Sequence, residues 1–171
     1  MECMTMKQKK VFLLSGIPGS GKSTWVRNHL TSTSVWISRD RVRFDIVSED
    51  EEYFSHEEEV FDTFIAYINK MLNDPRVDTI YIDATHVNRK SRNKTLNRIF
   101  KDKVTELNSV CFTAPLGICQ ERNLRRSGRE IIPETVINRM FESFSIPNKN
   151  EGFNHVYTVN EKGEMKEAIC E

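Results

Sequence analysis

The sequence contains 171 residues, of which 38% are hydrophobic and 29% are charged, a balance that is ordinary for a globular protein. Lysine and arginine number 25, as do aspartate and glutamate, so the net charge gives no overall attraction to nucleic acid. The length suffices for one domain, and we expect a single domain over residues 1–171 with its core at about 10–159. No run of about 18 apolar residues occurs, so no membrane-spanning helix is expected. The four cysteines show no C-x-x-C spacing and the first ten residues lack a signal-peptide core, which favours reduced thiols and a cytoplasmic location.

The first predicted strand, Val11 to Leu14, leads into a glycine-rich segment that matches G-x-x-x-x-G-K-[ST], the phosphate-binding loop (P-loop). A helical pattern follows this segment. Glycines let the backbone approach an anion closely, and successive amides at a helix N-terminus then face a phosphate. A turn that binds nothing is the alternative. The candidate ATP-binding residues are Gly16, Pro18, Gly19, Ser20, Gly21, Lys22, Ser23 and Thr24.

Two residues of this loop have distinct predicted roles. Lys22 places a mobile positive charge on the β- and γ-phosphate oxygens. Ser23 offers a hydroxyl to the Mg²⁺ ion that bridges those phosphates. The sequence therefore predicts ATP and Mg²⁺ as cofactors.

The second predicted strand, Val35 to Ser38, runs directly into Arg39, Asp40 and Arg43. The carboxyl end of a parallel strand is the ligand-binding edge of an open α/β sheet. A carboxylate there is placed to accept a proton from an attacking hydroxyl, while arginines hold a phosphate of the acceptor. Position alone supports equally well that Asp40 only caps a helix beginning near Arg41.

The acidic segment from Glu49 to Glu59 shows no metal-ligand spacing and is interpreted as a solvated surface. A helix with one apolar face follows from Val60 to Leu72. The third strand, Thr79 to Ile82, ends at Asp83, which is a candidate to hold Mg²⁺ through water or through Ser23. A cap for the next helix is the alternative role of Asp83.

Thr85 and Asn88, just beyond this strand, are candidates to hydrogen-bond the substrate. The next helix, from Arg89 to Lys103, is strongly basic. Its charges predict either a solvated face or local attraction of a polyanion.

A fourth strand, Ser109 to Thr113, precedes a helix that ends in a group of arginines. Arg122 and Arg126 are candidates for a lid over the transferring phosphate, because guanidinium groups spread over equatorial oxygens. Cations also suit a helix C-terminus, which is the alternative reason for the cluster. A helix after Pro133 and a last strand, Val156 to Val159, complete the pattern, and the polar tail beyond Asn160 is expected to be peripheral.

Four stretches together resemble the 5′-hydroxyl polynucleotide kinases, a branch of the P-loop kinases, and the likeness extends from about Lys10 to Val159. They are Gly16 to Trp25 (G-I-P-G-S-G-K-S-T-W), Arg39 to Arg43 (R-D-R-V-R), Asp83 to Asn88 (D-A-T-H-V-N) and Arg122 to Pro133 (R-N-L-R-R-S-G-R-E-I-I-P).

The resemblance implies that Asp40 is the general base and that Arg43 holds the phosphate of the acceptor. It likewise implies that Arg122 and Arg126 belong to the lid and that Lys22 and Ser23 bind the nucleotide phosphates. The sequence departs from the family at Arg41, where one phage member has a second acid, and it lacks the D-x-D-x-T motif of the phosphatase domain that many relatives carry.

The fold predicted from this pattern is a three-layer α/β sandwich of the P-loop kinase type around a parallel sheet of about five strands. The predicted reaction is transfer of the ATP γ-phosphoryl group to a hydroxyl, with the 5′ end of DNA or RNA as the preferred acceptor. A small-molecule kinase acting on a sugar, nucleoside or antibiotic, and an ATPase switch without an acceptor, remain as alternatives.

Overall fold

Residues 8–168 are described by the computed structural model, and they alternate between strands and helices as the sequence predicts. The strands are β1 (Lys10–Ser15), β2 (Ser34–Ser38), β3 (Thr79–Asp83), β4 (Glu106–Phe112), β5 (His155–Val159) and β6 (Met165–Glu167). The α-helices are α1 (Lys22–His29), α2 (Arg39–Ile46), α3 (Glu57–Asn73), α4 (Arg89–Leu96), α5 (Leu116–Leu124) and α6 (Glu134–Glu142). Short 3-10 turns occur at 101–103, 128–130 and 149–151.

The strands form one sheet in the order β2-β3-β1-β4-β5-β6. The first five strands pair in parallel, which confirms the predicted α/β class, and β6 pairs antiparallel with β5. The sequence analysis did not predict this strand, in which Met165–Glu167 extends the sheet at its edge. All three residues of β6 are exposed, so no hydrophobic pattern marked this strand in the sequence.

Both faces of the sheet are covered by helices, which confirms the three-layer sandwich. Leu13 belongs to a core cluster with Phe64 and Ile68 of α3, whereas its neighbour Leu14 belongs to a cluster with Trp25 of α1. This alternation follows from the two-residue period of a strand. A strand buried on both faces appears in the sequence as the uninterrupted apolar run observed in β1.

The basic segment predicted as one helix from Arg89 to Lys103 is shorter in the structure. Helix α4 ends at Leu96, and Arg92 is not part of its solvated face. The side chain of Arg92 is 1% exposed and forms an ion pair with Glu151, in which Arg92 Nε donates to Glu151 Oε2 at 2.7 Å. Arg92 therefore ties α4 to the chain before β5. Within residues 8–168 no helix has the length and hydrophobicity needed to cross a membrane.

Candidate active site at the P-loop

The loop between β1 and α1 is shaped by its glycines. Gly19 and Gly21 have φ angles of 82° and 103°, a region that other residues rarely adopt. A Cβ atom on Gly16 would lie 2.5 Å from Ser20 Oγ, and one on Gly19 would lie 2.4 Å from the Cys119 carbonyl oxygen. Residues 16–21 therefore form a tight backbone loop at the N-terminus of α1, next to the carboxyl ends of the parallel strands.

A cavity of about 550 Å³, here called the donor cavity, opens beside this loop. One wall is the segment 19–25, a second is formed by Arg122 and Arg126, and a third is the turn 160–163 between β5 and β6. Lys22 extends along the loop, and its ammonium group donates to the carbonyl oxygens of Gly16 at 2.8 Å and Ile17 at 3.2 Å. The cavity thus combines a glycine loop with the cationic residues Lys22, Arg122, Arg126 and Lys162.

Lys22 and Asp83 form the electrostatic centre of the site. Burial lowers the pKa of Lys22, and the negative charges of Asp83 and Asp40 oppose that shift. Burial also raises the pKa of Asp83, opposed by the charge of Lys22 and by the indole N–H of Trp36, which donates to Asp83 Oδ2 at 3.0 Å. The two charges compensate one another in an environment where either alone would be costly.

The structure contradicts the alternative role of Asp83 as a helix cap. Helix α4 begins at Arg89 and is capped by Asn88, whose side chain accepts a hydrogen bond from the Ser91 N–H at 2.9 Å. Asn88, a predicted substrate ligand, is therefore engaged in the fold and lies outside the linings of the cavities described here. Thr85 does line one of these cavities, and its carbonyl oxygen accepts from the Gly16 N–H at 2.9 Å.

The residues present fit a nucleotide and Mg²⁺. Ser20 Oγ is buried and has no hydrogen-bond partner among residues 8–168, as expected of a donor that awaits an anion. Ser23 lies in the wall of the donor cavity, and Asp83 lies close enough to Lys22 to act on its charge. A hydroxyl and a carboxylate are the oxygen donors that Mg²⁺ prefers, with phosphates and water supplying the rest.

A second, smaller cavity of about 130 Å³, here called the acceptor cavity, lies on the Pro18 side of the loop. Asp40 is at its wall. Asp40 Oδ1 accepts hydrogen bonds from Arg43 at 2.6 Å and from the Tyr53 hydroxyl at 3.0 Å, while Oδ2 has no hydrogen bond among the described residues. The cap interpretation of Asp40 was wrong, because α2 begins at Arg39 with Ser38 at its N-cap. The carboxylate is instead held by one oxygen and leaves the other for a ligand.

Glu57 is a site residue that the sequence analysis missed by assigning the whole acidic segment to a solvated surface. Its Oε1 accepts from Arg43 Nε at 2.9 Å and its Oε2 accepts from Arg39 at 2.8 Å. Tyr53 was missed as well, and burial followed by the nearby charge of Asp40 raises the pKa of its phenol. Both residues follow the R-D-R-V-R segment in the chain. Their contacts with it form only because the chain reverses direction between α2 and α3, which the sequence pattern does not show.

The structure separates the arginines near the end of α5. Arg122 donates to the carbonyl oxygens of Gly19 at 3.3 Å and Glu161 at 2.7 Å, and together with Arg126 it lines the donor cavity. Arg125 pairs with Glu121 on the exposed side of the helix. Arg129 donates to carbonyl oxygens at the end of α2, at 3.1 Å for Phe44. Arg122 and Arg126 thus line the donor cavity, Arg125 forms an ion pair within α5 and its C-cap, and Arg129 connects this segment to α2.

Comparison with known proteins places this arrangement among P-loop folds. The sequence profile of the family AAA_33, described as an AAA domain, matches residues 11–147. The transcription factor bHLH140 of Arabidopsis thaliana is 26% identical over 167 residues, which is 93% of this chain but 17% of that protein. The chain therefore spans about a sixth of that relative's length.

Solved structures show the same fold. A chain of the Pnkp1/Rnl/Hen1 RNA repair complex has a TM-score of 0.67 and 22% identity, over 84% of this chain and 46% of that one. A fungal RNA kinase has a TM-score of 0.63 and 16% identity, over 98% and 78%. A gluconokinase from Sinorhizobium meliloti 1021 has a TM-score of 0.58 and 16% identity, over 90% and 83%. At these identities the likeness shows the fold alone.

Proposed function

Because the chain belongs to the AAA_33 family of AAA domains, we propose that it is a kinase that transfers the γ-phosphoryl group of ATP to the 5′-hydroxyl of a DNA or RNA end. One observation carries this proposal. The donor and acceptor cavities adjoin the same glycine loop, with Gly19–Thr24 lining the first and Pro18 lining the second. Lys22 lines the donor cavity and is within electrostatic reach of both Asp83 and Asp40.

The residues of the donor cavity supply the charge that phosphoryl transfer needs. Lys22, Arg122 and Arg126 neutralise the oxygens of the transferring group, and the loop amides hold the phosphate chain. Ser23 and Asp83 would hold Mg²⁺, which would supply positive charge that offsets the charge of the phosphates. The predominance of cations in this cavity suits a reaction whose catalysis is mostly electrostatic.

The residues of the acceptor cavity supply the base. Asp40 Oδ2 takes the proton of the acceptor hydroxyl as its oxygen bonds to the γ-phosphorus, and the bond from that phosphorus to the oxygen of ADP breaks. Arg39, Arg43 and Thr85 bind the acceptor. Arg43 already donates to Asp40 and Glu57, so an acceptor phosphate shares this guanidinium with both carboxylates.

A nucleic-acid acceptor is favoured by the basic surface of α4 and the chain that follows it. The exposed basic side chains there are Arg89, Lys90, Lys94, Arg98 and Lys101. Such a surface attracts phosphate backbones locally. The neighbours named as an RNA kinase and an RNA repair complex agree with this choice. Buried, unpaired Cys111 and Cys119 agree with action in a reducing cytoplasm.

A small-molecule kinase is the second candidate, because the acceptor cavity of about 130 Å³ would hold a compact hydroxyl compound and because a gluconokinase shares the fold. An ATPase switch is less consistent with the site, since a switch has no use for a base held in a cavity of its own.

One assay separates these functions. The protein is incubated with ATP labelled at the γ-phosphate and, in parallel reactions, with a 5′-hydroxyl oligonucleotide, a nucleoside and a sugar acid. We expect label on the oligonucleotide. Label on a small molecule alone would select the second candidate, and release of free phosphate alone would rule out a kinase.

A further inference from the structure

The wall of the acceptor cavity includes an aromatic side chain, Phe54, to which the proposed reaction gives no role. Phe54 lines this cavity and is 44% exposed, so its ring is accessible to a ligand. Its neighbour Tyr53 lines the cavity as well. Ile132 and Met140 add apolar surface to the wall of the same cavity.

Tyr53 connects Phe54 to Asp40. The Tyr53 hydroxyl donates to Asp40, and the Tyr53 ring contacts Phe54 edge to face, with centroids 4.8 Å apart and an interplanar angle of 86°. A ligand whose hydroxyl lies at Asp40 and whose body extends along the wall of the cavity past Tyr53 therefore meets Phe54.

Arg43 and Phe44 pack against the rings of Tyr53 and Phe54. The Arg43 guanidinium carbon lies 4.7 Å from the centroid of Tyr53 and 5.6 Å from that of Phe54, and Phe44 packs against Tyr53 at 6.0 Å. Because Glu57 and Asp40 fix Arg43, the ring positions are coupled to the charged network of the site. An exposed ring that is oriented in this way is a preformed platform for a planar, apolar group.

We infer that Phe54 is a stacking platform for the base of the acceptor's 5′-terminal nucleotide, an inference that rests on the proposed function. Every nucleobase offers a π face to such a ring, so this contact distinguishes a nucleotide end from a sugar without selecting a base sequence. The 5′-hydroxyl is then fixed at Asp40 and the base at Phe54, which are the two ends of one nucleoside.

The test compares two 5′-hydroxyl oligonucleotides that differ only at the terminal residue, which carries a base in one and is an abasic tetrahydrofuran in the other. We expect the wild-type protein to show a kcat/KM at least about fivefold higher for the end that carries a base, the lower bound for one aromatic–base contact. In Phe54→Ala this ratio should fall to about one, mainly through KM.

Two further variants make the result specific. Phe54→Trp keeps an aromatic face and should keep the ratio, which separates stacking from a loss of structure. Phe100→Ala removes an equally exposed phenylalanine that lies outside both cavities and should also keep it. A Phe54→Ala variant that retains the wild-type ratio would overturn this inference alone. A wild-type protein that labels neither oligonucleotide would overturn the proposed function and this inference with it.

Discussion

At the scale of single residues, the site depends on side chains whose charges are held by specific partners. Asp40 shows this most clearly, because both of its hydrogen bonds go to one oxygen and leave Oδ2 for a ligand. Lys22 and Asp83 depend on each other in the same way, since burial disfavours each charge and the partner offsets the cost. The pairing of Lys22 with Asp83 thus offsets part of the cost of burying either charge beside the P-loop.

Substitution of Asp40 by Asn removes the proton acceptor while keeping the size of the side chain. We expect phosphoryl transfer to fall by at least about a hundredfold, the lower range for a general base. ATP affinity should change little, because Asp40 lines the acceptor cavity and not the donor cavity. Steady-state labelling of a 5′-hydroxyl oligonucleotide and calorimetric titration with ATP measure the two quantities.

Asp45→Asn provides the control for this variant, since Asp45 is an exposed acid on the same helix α2. Its turnover should match that of the wild type. Undiminished transfer in Asp40→Asn would remove Asp40 from the mechanism.

At the scale of elements, the arginines at the C-terminal end of helix α5 point in two directions. Arg122 reaches the P-loop and the turn between β5 and β6, whereas Arg125 pairs with Glu121 on the outer side of the helix. Three residues make up most of one helical turn, but residue 125 is the C-cap and its side chain takes a different direction from that of Arg122. The turn between β5 and β6 thus lines the donor cavity together with Arg122 of α5.

Replacement of Arg122 by Ala should lower kcat for phosphoryl transfer by about a hundredfold or more, as for loss of one donor to a developing anion. Arg122→Lys should recover only part of this loss, because an ammonium group lacks the planar fork. Arg125→Ala is the matched control and should stay within about twofold, since an exposed ion pair contributes little. Equal losses in the Arg122 and Arg125 variants would indicate a general effect on α5 and contradict the lid.

At the scale of the whole molecule, a buried histidine joins elements that surround the site. His86 is 3% exposed and has φ at 39°, and its Nδ1 lies 2.7 Å from the Leu14 carbonyl oxygen of β1. Its Nε2 lies 3.0 Å from the Thr95 hydroxyl of α4. Because a carbonyl oxygen only accepts, Nδ1 donates to Leu14, and in the neutral ring Nε2 accepts from the Thr95 hydroxyl. Burial lowers the pKa of His86 to about 4.

The pH dependence of stability follows from that shift. The unfolded chain binds a proton at an ordinary histidine pKa of 6.5, whereas the folded state resists protonation down to about 4. The contribution of His86 is therefore fully present above pH 6.5 and is lost as the pH falls to about 4. Its size is about 3 kcal/mol of unfolding free energy.

Urea unfolding of the wild type and of His86→Asn between pH 7.5 and 4.5 tests this prediction. Asn keeps a donor for Leu14 and tolerates a positive φ angle, but it does not titrate. The free energy of unfolding should fall less steeply with decreasing pH in the variant. Parallel pH profiles for the two proteins would show that His86 does not drive the acid dependence.

The sequence by itself determined the elements whose signal is local. The apolar runs predicted the five parallel strands, the glycine spacing predicted the P-loop, and the position of Asp40 and Asp83 after their strands placed both at the ligand edge of the sheet. These inferences succeed because hydrophobic periodicity and turn chemistry act over a few neighbouring residues.

Only the tertiary structure decided which polar residues belong to the site. Glu57 accepts from Arg39 and Arg43 across 18 and 14 positions of the chain, and Tyr53 donates to Asp40 across 13. Arg92 is withdrawn from the basic surface by Glu151, and Asn88 is used as a helix cap. A charged side chain has the same sequence signal whether it is solvated or paired. Its partner is chosen by packing between distant elements, so the role of each charge is defined only when the chain has folded.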